Sequence, residues 1–75
     1  MMKQFTEDMV AEWRRAESLY PGFHSLHEAY AVMLEEFDEL WEQVRQKPWA
    51  RDPDTIYQEL VQIAAMALRT VTSLG

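Results

Sequence analysis

The sequence predicts an all-α protein, a three-helix protomer with a helical hairpin core that assembles into an oligomeric helical bundle. Three observations predict it. Apolar residues recur at helical spacing in three separate runs. Breaks at Pro21-Gly22 and between Pro48 and Pro53 divide those runs. The chain has 75 residues and no cysteine, a size at which one core supplies only about 3–5 kcal/mol without staples or partners, so association is expected to supply the rest.

Helix one, about residues 5–20, is drawn from Phe5, Met9, Trp13, Ala16 and Tyr20, and Pro21-Gly22 closes it. Helix two, about 25–46, opens on Ser25 with Glu28 three residues on, a capping box in which each side chain satisfies an orphan backbone N–H. Its stripe runs Leu26, Tyr30, Met33, Leu34, Phe37, Leu40, Trp41 and Val44. Helix three, about 53–74, starts at Asp52-Pro53, a side-chain cap followed by proline at the first helical position. Ile56, Leu60, Ile63, Ala64, Ala67, Val71 and Leu74 form its main stripe, and Val61, Ala65, Met66 and Leu68 widen it. A helix apolar this far round needs cover on several sides, more than two short companions give, so helix three is expected to form an oligomer core. A single domain over residues 1–75 accounts for the whole pattern, and Trp13 and Trp41 read as core.

Charge narrows the function classes. The net charge is −6 and the basic residues are scattered, so no stripe tracks a phosphodiester backbone and duplex nucleic acid is not an expected ligand. Glu7 and Asp8 precede any apolar run, no stretch is long enough to cross a bilayer, and a cytoplasmic protein without membrane partners is expected. No Ser-His-Asp set, glycine-rich phosphate loop or thiolate pair is present to support covalent or P-loop chemistry. His24 and His27 lack the i, i+4 spacing of helical metal ligands and read as structural or solvent-facing.

The carboxylates are more informative. Glu59 sits in the otherwise apolar run IYQELVQIAAMALRTV, where an isolated charge is costly unless paired, hydrogen-bonded or bound to a cation. At about 100° of rotation per residue, Glu36 and Glu39 share a flank of helix two with Ala29, Val32 and Gln43. Glu59 shares a flank of helix three with Thr55, Gln62 and Met66. An antiparallel hairpin would bring the flanks together and converge Glu36, Glu39 and Glu59 into an oxygen-rich environment suited to Mg²⁺ or Mn²⁺. The competing expectation is that Glu59 pairs with Arg45, Arg51 or Arg69, while Glu35, Asp38 and Glu42 belong to a solvated acidic face.

Glu36-Phe-Asp-Glu39, a proline-broken loop, then Glu59-Leu-Val-Gln62 resembles the ExxE and ExxD halves of the MazG-like all-α nucleoside triphosphate pyrophosphohydrolases, and HSLHEAYAVMLEEFDELWEQV followed by ELVQIAAMA looks like their short, phage-type branch. The resemblance covers about residues 25–74. It implies that Glu36, Glu39 and Glu59 are metal-ligating and catalytic, holding Mg²⁺ against a (d)NTP whose α–β phosphoanhydride is split to a nucleoside monophosphate and pyrophosphate. The departure is Gln62, standing where the family pattern has Asp; an amide oxygen can still coordinate a metal but brings no charge and no base.

Substrate phosphates need positive charge beyond the metal, and Lys47 and Arg51 in the connecting loop are the candidates, with Arg45 beside them. Trp49 beside them is placed either to stack on a base or to pack over the end of its own core. The leading expectation is therefore a Mg²⁺-dependent pyrophosphohydrolase working as a homodimer or homotetramer. A weak or inactive nucleotide- or metal-binding module and a helical assembly or regulatory protein are the alternatives, so enzymatic activity stays open.

Overall fold

The computed structural model describes residues 1–74. They form α1 (Met2–Leu19), α2 (Leu26–Val44), a 3-10 turn (Pro48–Ala50) and α3 (Pro53–Leu74). All of this regular structure is helical, as the three apolar runs predict. No helix among the described residues is long and apolar enough to cross a membrane.

Helix starts follow the side chains that satisfy their orphan N–H groups. Ser25 Oγ accepts from Glu28 N at 3.1 Å, but the reciprocal half of the box is displaced by one residue, Glu28 Oε1 accepting from His24 N at 3.3 Å. Asp52 Oδ1 accepts from Asp54 N at 3.1 Å and its Oδ2 from Thr55 Oγ1 at 2.7 Å. Helix α1 begins three residues before Phe5, the first residue of its apolar stripe, and Phe5 N already donates to Met1 O. Apolar periodicity marks where a helix packs, and the backbone ladder can extend beyond that.

Helix α3 is central and packs on both α1 and α2, which are in contact only through it among the described residues. Phe5 meets Tyr57 edge to face with ring centroids 5.8 Å apart, and Trp13 Nε1 donates to Thr72 Oγ1 at 3.2 Å, so α1 runs parallel to α3. Arg69, only 3% exposed, ties these elements together. Its Nε donates to Glu17 Oε1 at 3.0 Å, its Nη2 to Pro21 O at 2.9 Å, and its guanidinium lies 4.7 Å from the Phe23 ring centre. At Gly22 a Cβ would approach Ser73 Oγ to 3.2 Å, so the α1–α2 linker lies close against the end of α3.

Three helices in a row make a layer. The extents are 40 × 27 × 19 Å and the radius of gyration 13.2 Å, against about 11 Å for a typical folded domain of this length. The core is correspondingly thin. Ala16, Phe23, Ala29, Val61, Ala65 and Met66 are its buried apolar residues, and no large side chain is completely enclosed.

The stripe expected to face the interior from helix two faces outward instead. Leu26, Tyr30, Leu34, Phe37, Trp41 and Val44 are all exposed, Trp41 by 57%, so its assignment to the core does not hold within the protomer. The buried face of α2 is centred roughly a quarter turn away, on Ala29, with Val32, Met33 and Glu36 partly covered beside it. On α3, likewise, Val61, Ala65 and Met66 are buried while Leu60, Val71 and Leu74 of the main stripe are exposed. The small Ala29 and Ala65 let two helices approach closely; the bulky stripes do not.

Candidate metal centre

This choice of packing face brings the carboxylates together. Glu36 and Glu39 lie one turn apart on α2, and antiparallel α3 sets Glu59 opposite them, so that one oxygen from each lies within 4.8 Å of the others. Glu36 and Glu59 are half-buried and Glu39 is exposed. Glu36 Oε2 and Glu59 Oε2 are shielded from water and have no hydrogen-bond partner.

The electrostatic consequence is a reluctance to ionise. Burial, followed by the charges of Glu39 and Glu59, raises the Glu36 carboxyl to about 7. Glu59 is raised as well, first by burial and then by Glu39. Carboxylates held this close repel one another until a proton or a cation enters.

The ion pairs that could have explained Glu59 are engaged elsewhere. Arg69 binds Glu17, Arg45 approaches Glu42 at 3.6 Å, and Arg51 Nη2 donates to Val44 O at 2.6 Å, satisfying a carbonyl at the end of α2. Glu35, Asp38 and Glu42 are exposed, as expected of a solvated face. His24 and His27 are exposed too, and His24 Nδ1 lies 3.3 Å from Glu28.

The donors fit a hard divalent cation. Three carboxylates with two orphaned oxygens offer the hard oxygen ligand type that Mg²⁺ and Mn²⁺ prefer.

Gln62 stands one turn beyond Glu59, but its side chain reaches toward α1. Glu12 is held below the usual carboxylate range chiefly by its hydrogen bonds to Arg15 and, after burial acting the other way, by the Gln62 amide. Gln62 and Glu36 also border a cavity of about 480 Å³ between α1, the α1–α2 linker and the α2–α3 hairpin. None of Lys47, Trp49 or Arg51 lines that cavity. Lys47 precedes the 3-10 turn, and Trp49, 84% exposed, projects from it.

The cavity's Arg15 and Phe23 did not stand out as functional residues in the sequence. The only trace of the cavity was the i, i+3 pair Glu12 and Arg15 on a helix that otherwise read as packing. No family model, curated protein or solved structure matches the chain.

Proposed function

We propose that the chain is a Mg²⁺- or Mn²⁺-dependent nucleoside triphosphate pyrophosphohydrolase of the MazG-like kind, releasing a nucleoside monophosphate and pyrophosphate. The observation that carries this proposal is the convergence of Glu36, Glu39 and Glu59 within 4.8 Å, with two orphaned oxygens. It agrees with the ExxE and ExxQ motifs on the facing helices.

A bound divalent cation would neutralise triphosphate charge and lower the pKa of a coordinated water. The chain supplies the rest. Glu36 and Glu59, shielded by the hairpin, present oxygens whose burial and mutual repulsion a cation would relieve. Glu39, the exposed member, would complete the carboxylate set on its solvent-facing side. Lys47 and Arg51 remain candidates to meet the outer phosphates and Trp49 a base, Arg51 after leaving the Val44 carbonyl.

The working unit is proposed to be a homodimer or homotetramer. The outward row from Leu26 through Phe37 to Val44 and the exposed Leu60, Val71 and Leu74 are the surface that a second copy would cover.

Incubation with canonical and modified (d)NTPs plus Mg²⁺ or Mn²⁺, followed by separation of products, tests the activity. Monophosphate and pyrophosphate are expected, and Glu59→Gln should abolish them while leaving the helical spectrum intact. Turnover that survives this substitution removes the proposed site.

One observation favours a second reading, a nucleotide- or metal-binding module with little hydrolysis. Gln62 is turned to Glu12 and brings no fourth charge to the cluster. That module would be stabilised by nucleotide and cation without forming product. A helical assembly protein, the third possibility, would be indifferent to divalent cations.

A further inference from the structure

The cavity between α1, the linker and the hairpin, about 480 Å³, has apolar walls and an acidic rim. Phe23, Val32 and Met66 line its apolar part. Glu28 and Glu35 are exposed where it opens. Its two arginines are spent, Arg69 on Glu17 and Pro21 and Arg15 on Glu12. Glu35 makes no salt bridge among the described residues. A group that fits this surface is apolar and carries a positive charge beside it.

The loop between α2 and α3 carries such a group. Trp49 projects from the 3-10 turn, 84% exposed. Lys47, two residues before it, is exposed and makes no salt bridge among the described residues. The loop and the cavity of one chain cannot meet: Val32 and Val44 are separated by about 18 Å along α2, and Trp49 lies beyond Val44 and outside the cavity lining. Stacking on a base would use the indole alone and leave the acidic rim unmatched.

We propose that the cavity seats Trp49 of a second copy of this chain, with Lys47 of that copy paired to Glu35 at the rim. Each copy has one such knob and one such hole, so a twofold axis joins two copies through two equal contacts and closes the pair. Glu28, Val32 and Glu35 lie roughly half a turn round α2 from the outward stripe near Phe37, which makes this contact separate from the one that the stripe would form. Two different twofold interfaces on one chain build a tetramer. The contact holds or fails whatever the carboxylate trio does.

Phe37→Glu puts charge into the stripe at a side chain that is 51% exposed, which leaves the knob-and-hole contact to be measured alone. Sedimentation equilibrium at low salt should find Phe37→Glu as a dimer. Adding Trp49→Ala should raise the dissociation constant roughly thirtyfold, and adding Lys47→Glu or Glu35→Lys should raise it about tenfold. Mixing those two charge variants in equal amounts should restore the dimer, because each knob then meets a hole of opposite charge.

Trp49→Ala in the otherwise wild-type chain should likewise turn a tetramer into a dimer, and this arm decides if Phe37→Glu loses its helical spectrum. A helical Phe37→Glu protein that sediments as a protomer, assembly indifferent to Trp49→Ala, or charge variants that mixing does not restore would each overturn the contact and leave the cavity to another occupant.

Discussion

Glu36 and Glu59 face each other across the seam between α2 and α3, and each keeps one oxygen buried without a hydrogen-bond partner. Helix α2 turns toward α3 the face carrying Ala29, and Glu36 lies on that face two turns further along. The close approach that encloses Ala29 therefore also removes water from a carboxylate.

A pH dependence follows. Glu36 has its carboxyl raised from 4.5 to about 7, and Glu59 moves in the same direction. The protonated form favours the folded state, so the stability they contribute is full below about pH 4.5, lost as the pH rises, and gone above about pH 7. Glu12 and Asp52, whose carboxyls are lowered, act oppositely in more acidic solution. Melting the metal-free protein across this range should show a fall in midpoint that Glu36→Gln flattens. A wild type and variant with parallel profiles would show that Glu36 ionises as freely folded as unfolded.

Gln62→Asp adds a fourth carboxylate one turn beyond Glu59. Cation affinity should rise roughly tenfold with the added ligand charge, and pyrophosphate release should rise with it. Calorimetric titration with Mg²⁺ alongside a product assay checks both. No change in either would place position 62 outside the cation's reach.

Arg69→Met removes hydrogen bonds to Glu17 and Pro21 and the contact with Phe23. The expected cost is about 2 kcal/mol, seen as a midpoint lower by about 10 °C. Glu17→Gln should cost less, because Glu17 is partly solvated and the amide can still accept. Thermal unfolding of the two variants gives the ranking, and a larger loss for Glu17→Gln would contradict it.

Phe37→Glu or Trp41→Glu puts charge into the outward stripe of α2. Sedimentation should find the wild type as a dimer or tetramer and these variants shifted toward the 8.9 kDa protomer. A wild type that sediments as a single protomer would contradict the proposed assembly.

Much of the fold was legible in the sequence because helix formation has local causes. Ser25, Asp52 and Pro53 punctuate the chain as their chemistry requires, and the apolar period is unambiguous. Which stripe packs within the protomer was not legible. Periodicity groups residues on a face without naming the neighbour, and both stripes of α3 are apolar; the decision fell to Ala29 and Ala65, whose small size admits close packing.

The convergence of Glu36, Glu39 and Glu59 was legible, since an antiparallel hairpin fixes which turns meet. The cavity was not. Its walls come from three helices and a linker, and only α3's contacts with both other helices bring Glu12 near Gln62.

Titration with Mn²⁺ followed by electron paramagnetic resonance tests the metal centre most directly. Saturable binding that Mg²⁺ displaces, and that Glu36→Gln and Glu59→Gln each remove, is the predicted result. Binding no stronger in the wild type than in those variants would mean that Mn²⁺ meets only the diffuse charge of an acidic surface, and the proposed centre would be wrong.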